Sequence, residues 1–203
     1  MNKKILVCDL SKSTNEQQFQ VGRNEELTLV LIATKSVRNT IQVALVGEGS
    51  SVDIFGIVLG QNNSQISLHT LQDHQAPHTR SNLLIKAALY GRSQFQYEGY
   101  IKVEKNAQRT DAYQRNENLM LSPEAKAESK PALEILANDV RCTHSATIGK
   151  VDQEQLFYLE SRGINEKIAT SLIVTGFFQT VLDKIEDKGL VERLIQKIST
   201  LNN

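Results

Sequence analysis

The sequence predicts a mainly β fold that ends in a small helical unit. From the start to about residue 150, short segments with apolar–polar alternation are separated by Gly, Asn, Ser and Asp, as in strands joined by turns. No helix-length periodic stretch interrupts them, which argues against βαβ units. After Lys150 the texture changes abruptly to capped helical segments. A loose recurring form at Ser51, Ser93 and Ser129, roughly 35 to 45 residues apart, falls in the range of stacked repeats. On pattern alone a β-solenoid therefore competes with a sandwich or a barrel.

The strand segments follow in order: LTLVLIAT at 27–34, TIQVALVG at 40–47, SVDIFGIVLG at 51–60 and SQISLHTL at 64–71. NLLIKAALYG at 82–91, QFQYEGYIKVE at 94–104 and PALEILAND at 131–139 complete the set, before a strand-like segment around Cys142. The polar run containing Gln108, Gln114, Asn116 and Asn118 reads as stacked amides along solenoid rungs. Asp152 with Gln155 three residues on forms a capping box, and Gly163 is suited to end that first helix. Asn165 caps a second helix with Ile168, Leu172, Ile173, Phe177, Val181 and Ile185 at helical spacing. A third is expected over Val191–Ile198, after a break at Lys188-Gly189. The expected division is residues 1–150 for the β domain and 151–203 for the helical one. The helical part has more apolar surface than a short hairpin can bury, so it folds back on the strands or docks a partner.

The 203 residues carry 23 Lys+Arg against 23 Asp+Glu. This balance argues against a broad nucleic-acid or anionic-membrane surface. Apolar residues make up 40% with no Trp, so the core is aliphatic. No apolar stretch suits a signal peptide or a bilayer span. Two cysteines, Cys8 and Cys142, stand far apart, and reduced thiols in a cytosolic protein are the simpler expectation. No P-loop, Gly-x-Ser-x-Gly or Cys-x-x-Cys occurs. Any nucleotide hydrolysis is therefore assigned to a partner, with no nucleotide bound by this chain.

The most informative stretch is SKPALEILANDVRCTHSATIGKVDQEQLFYLESRGI, residues 129–164. In an extended strand Cys142 and His144 project to one face and Thr143 to the other. A thiol and an imidazole side by side form a soft ligand pair, or a nucleophile and its base. His69, His74 and His78 cluster in SLHTLQDHQAPHTRS, but Pro77 and the strand context spoil metal-binding helical geometry. They are expected to line a polar turn.

The segments AQRTDAYQ at 107–114, LMLS at 119–122 and the 130–164 stretch, with PHTRSNLLIKAALYG at 77–91 as a weaker echo, resemble the SufD branch of the SufB/SufD family of iron–sulfur cluster assembly scaffolds. The resemblance implies a right-handed parallel β-helix with C-terminal helices. It also implies pairing with a SufB-like subunit and docking of a SufC-like ATPase through the helices from about Asp152 to Lys184. His144 falls on the family's functional histidine and Cys142 on the cysteine two residues before it. Both become cluster or iron ligands at a subunit interface, where a transient iron–sulfur cluster forms. The family pattern has Gly where Ser145 stands and two acids where Asn138-Asp139 stand, and the chain is about half the usual length. A Cys-x-His pair supplies at most two ligands, whereas a cluster takes three or four, so another subunit must complete the site. The function expected is a non-enzymatic scaffold. A reduced, homodimeric scaffold with two Cys142–His144 pairs is the alternative within the family. A β-helix enzyme acting on polysaccharide is the alternative outside it.

Overall fold

The computed structural model describes residues 2–12 and 15–200. Its strands alternate between two parallel sheets. The odd-numbered strands, β1 (Asn2–Asp9), β3 (Glu25–Ala33), β5 (Ser51–Gly60), β7 (Arg80–Leu89), β9 (Thr110–Met120) and β11 (Val140–Lys150), form a six-stranded sheet in that order. The even-numbered strands, β2 (Glu16–Val21), β4 (Val37–Leu45), β6 (Gln65–His74), β8 (Gln94–Val103) and β10 (Lys126–Ile135), form the five-stranded sheet. Each coil places one strand in either sheet, and the coils stack as a parallel β-solenoid. This decides among solenoid, sandwich and barrel.

The repeat is shorter than the serine spacing implied. Ser51 pairs with Arg80 and Arg80 with Asp111, so these coils are 29 and 31 residues long. The expected recurrence compared strands of different sheets: Ser51 opens β5, whereas Ser93 precedes β8 and Ser129 lies in β10. Strands β1, β2 and β9 also went unread as strands. In β9 the inward positions Gln114, Asn116 and Asn118 are polar yet at most 3% exposed, so hydrophobic alternation could not reveal it.

The two sheets differ because only one is covered. In the five-stranded sheet β4, β6 and β8 alternate between buried and open positions. Strands β3, β5 and β7 are buried on both faces along most of their length, which explains apolar runs such as Val-Leu-Ile-Ala. Leu29, Leu31, Val43 and Ile54 fill the interior. Val30, Ile32, Phe55 and Leu84 face outward beneath the helices.

Three helices follow: α1 (Gln153–Ser161), α2 (Glu166–Leu182) and α3 (Lys188–Ser199). Asp152 caps α1 and Asn165 caps α2 through side-chain oxygens that accept from first-turn amides, and Gly163 adopts φ +83° just beyond α1. The third helix starts earlier than expected. The Asp187 carboxylate accepts from the Leu190 amide at 3.0 Å, which places Gly189 inside the first turn rather than at a break. Phe178, Val181, Leu182, Leu194 and Ile198 pack onto the six-stranded sheet. Lys86 fixes α2 there. Only 7% exposed, it pairs with Glu117 at 3.0 Å and donates to the Phe177 carbonyl at 2.7 Å. The helices therefore do fold back, but not with all of their apolar surface.

Candidate functional site

Strand β11 ends the six-stranded sheet and pairs only with β9, while β10 ends the five-stranded sheet and pairs only with β8. This coil is consequently an open mouth. In register, Cys142 stands over Ala112, His144 over Gln114, Ala146 over Asn116 and Ile148 over Asn118. The lower members of each pair point into the solenoid, at 1–3% exposure. Parallel in-register stacking aims the upper members the same way, so Cys142 and His144 share the inward-facing column. With no further coil above them, they meet solvent.

The two side chains sit in different surroundings. Cys142 is half-buried against the small cluster of Ile101, Val103, Ala107, Ala112 and Ala137. Burial pushes its thiol pKa up, with a smaller upward push from the Asp111 carboxylate, while a backbone contact with Ala112 pulls it down. Such a thiol is a poor spontaneous nucleophile, and it becomes a ligand only when a metal displaces its proton. His144 is exposed, and among the described residues it makes no hydrogen bond or ion pair. Beside them Arg141 forms a two-pronged ion pair with Asp111, its Nε donating at 3.0 Å, and this guanidinium holds the Asp111 carboxyl below its usual range.

Among the described residues no group of three or more His, Cys, Asp or Glu side chains is placed to hold a metal ion. The other histidines are dispersed rather than gathered in one turn. His69 lies on the outer face of β6 and pairs with Glu98 at 3.1 Å. His74 is fully buried, with its ring nitrogens 2.7 Å from the Thr79 hydroxyl and 2.8 Å from that of Ser81. Only His78 occupies a turn, at φ 59°. Strand alternation puts His69 and His74 on opposite faces of β6, and His78 lies beyond the end of that strand.

Beneath the mouth lies a set of buried polar groups that hydrophobic patterning concealed. The Gln72 amide donates to Gln114 Oε1 at 3.3 Å, and the Gln114 amide donates to the Gly99 carbonyl at 3.2 Å. Asn116 donates to the Ile85 carbonyl, and Asn118 donates both to Asn116 and to the Thr147 carbonyl in β11. The expected stacked amides thus exist at Gln114, Asn116 and Asn118, inside the solenoid, whereas Gln108 lies in the turn before β9 and donates to the Lys105 carbonyl. Their even-numbered spacing in β9 was the available signal.

Two apolar faces stay exposed. Leu133 and Ile135 of β10, Leu136 and Ile148 surround the mouth at 37–55% exposure. On the helices, Phe157 and Tyr158 of α1 are 71% and 57% exposed, and Ile168 and Leu172 of α2 are about half exposed. The stripe read on α2 is therefore split: Val181 and Ile185 turn to the sheet, whereas Ile168 and Leu172 turn away. Among the described residues no helix is long and apolar enough to cross a membrane.

A model of the SUF system FeS cluster assembly SufBD core domain matches residues 10–177. The chain belongs to the SufBD family. It is 32% identical over 168 residues to the iron–sulfur cluster assembly protein SufD of Escherichia coli K12, covering 83% of this chain and 40% of that protein. A SufBD family protein of Mycobacterium tuberculosis H37Rv is 34% identical over 207 residues, which is 96% of this chain and 52% of the relative. Protein ABCI7 of Arabidopsis thaliana, named as chloroplastic, is 30% identical over 168 residues, 81% of this chain and 35% of that one. The chain thus spans about half the length, or less, of these SufBD relatives. Within that family, whose description is iron–sulfur cluster assembly, the chain is SufD-like.

Proposed function

We propose that this scaffold works as one half of a two-subunit cluster site. Its open solenoid mouth pairs with a SufB-like subunit in the cytosol, and the exposed faces of α1 and α2 dock a SufC-like ATPase. His144 and Cys142 then ligate a nascent iron–sulfur cluster, the cargo, between the two solenoids. The observation that carries this reading is the coincidence of three features in the last coil. An inward-facing ligand pair, two unpaired sheet edges and a rim of exposed aliphatic side chains all lie there. Unpaired strand edges invite pairing with another chain, and a pair of donors falls short of a cluster's needs. The scaffold itself carries out no catalysis and hydrolyses no nucleotide.

Co-expression with SufB-like and SufC-like subunits, followed by anaerobic reconstitution and absorption spectroscopy, tests the proposal. A stable complex whose cluster absorbance is lost in His144→Ala, without loss of the complex, is expected. No complex, or an unchanged cluster in that variant, overturns it. The free edges on both sheets of one mouth also support self-pairing, in which a twofold axis brings two Cys142–His144 pairs together. Light scattering of the chain alone separates the two: a monomer at high concentration removes the homodimer.

A further inference from the structure

Far from the mouth, at the opposite edge of the six-stranded sheet, a groove of about 460 Å³ lies between β1 and α3. It arises because α3 lies beside the end of β3 but leaves the outer face of β1 bare, with Val7 43% exposed. Its floor is apolar, formed by Val7, Ile32, Leu190 and Leu194. Its rim is cationic: Lys12, Lys35, Arg193 and Lys197 line it against one carboxylate, that of Asp9.

That charge is concentrated in a chain whose overall formal charge is zero, and only two of the four cations hold ion pairs. Lys12 reaches Asp9 at 3.4 Å, and Arg193 reaches Asp187 only at 4.0 Å. Lys197 spends a hydrogen bond on the Thr34 hydroxyl at 2.9 Å rather than on an acid. Lys35 has no ion pair or hydrogen bond among the described residues. Four like charges around one apolar floor repel one another, and a multiply charged anion relieves that repulsion. The groove falls within the volume range of small-molecule sites.

We infer that this groove binds an organic phosphate, with its phosphates among Lys12, Lys35, Arg193 and Lys197 and its apolar body on the Val7–Leu194 floor. Such a site uses no P-loop. It differs from the sequence expectation that no nucleotide binds, which rested on the absence of that motif. Its position, remote from His144 and from the α1–α2 face, makes it independent of cluster ligation.

Titration calorimetry of the intact chain with ADP, inorganic pyrophosphate and adenosine tests the inference. Saturable binding of ADP is expected, with weaker binding of pyrophosphate and none of adenosine, since the phosphates supply the attraction and the body adds to it. Lys35→Glu and Arg193→Glu should each weaken ADP binding by about fivefold, the upper scale of one exposed charge pair, and His144→Ala should leave it unchanged. Circular dichroism confirms that the charge variants, both on exposed side chains, keep their fold. If ADP and pyrophosphate give no saturable heat, or if both charge reversals leave the affinity unchanged, the inference fails.

Discussion

The first coils and the last coils of the solenoid are built on different chemistry. Around β3 to β5 the interior is aliphatic apart from Asn39, with Leu29, Leu31, Val43 and Ile54 at 0–1% exposure. From β6 onward hydroxyls and amides enter the interior: Thr70, Gln72, His74, Ser81, Gln114 and Asn116 are all at 0–1%. Thr70 and the Tyr97 hydroxyl bond at 2.8 Å, Gln72 meets Gln114, and His74 meets Thr79 and Ser81. The aliphatic coils derive stability from burial alone and tolerate few changes of volume. The polar coils gain little net stability from each hydrogen bond, but a broken one leaves a buried group unsatisfied. The difference places rigidity without chemistry at one end and oriented polar groups directly below the candidate ligand pair at the other.

The sharpest test of the contrast compares Ile54→Ala with His144→Ala. Truncating a fully buried aliphatic is expected to cost about 2–5 kcal/mol, read as a lower urea midpoint. Removing the exposed imidazole should move stability by no more than about 0.5 kcal/mol while eliminating cluster loading. Equal losses of stability would erase the distinction between the two ends.

Next in size is the response to acid. His74 belongs to the polar region, and desolvation lowers its pKa from 6.5 to about 4. The unfolded chain therefore binds a proton more readily than the folded one between these values, so stability falls as pH drops through that window. The loss totals roughly 3 kcal/mol and stops near pH 4. Urea midpoints measured from pH 7 to pH 4 should show it, and His74→Gln should flatten the slope. A pH-independent midpoint would mean that the histidine is charged or solvated in the fold.

Gly99→Ala probes the polar coil without touching a charge. A Cβ there collides with the Gln114 amide and the Tyr97 hydroxyl, so a loss of about 1–3 kcal/mol is expected. Thermal denaturation would register it. Losses as small as those of a surface change would show that the buried amides shift freely. The smallest effect belongs to the turns: His78 holds φ 59°, and His78→Gly should stabilise by about 0.5 kcal/mol by relieving that strain.

Much of the fold was legible in the residues themselves. The alternation in β6 and β8, the cap at Asp152 and Gly163 beyond α1 all act over a few residues, where local conformational preference and side-chain period decide the outcome. Strand β9 was opaque because its inward face carries Gln114, Asn116 and Asn118, which hydrophobicity scores as solvent-exposed. The start of α3 was misplaced because a glycine in a first turn resembles a break unless its cap, Asp187, is recognised. For the site, Cys142 and His144 were legible as neighbours on one strand face, and the family resemblance singled them out. Their position at an unfinished mouth was not.

By itself, then, the sequence determined most of the strands, where α1 and α2 are capped and that Cys142 and His144 share a strand face. These follow from periods of two and 3.6 residues and from capping chemistry, all local. Only the tertiary structure decided the 29- to 31-residue coil, which face of α2 is buried, and which polar side chains point inward beneath His144. Those depend on register between strands about thirty residues apart. Register is set by the summed packing of whole coils rather than by any short stretch of chain.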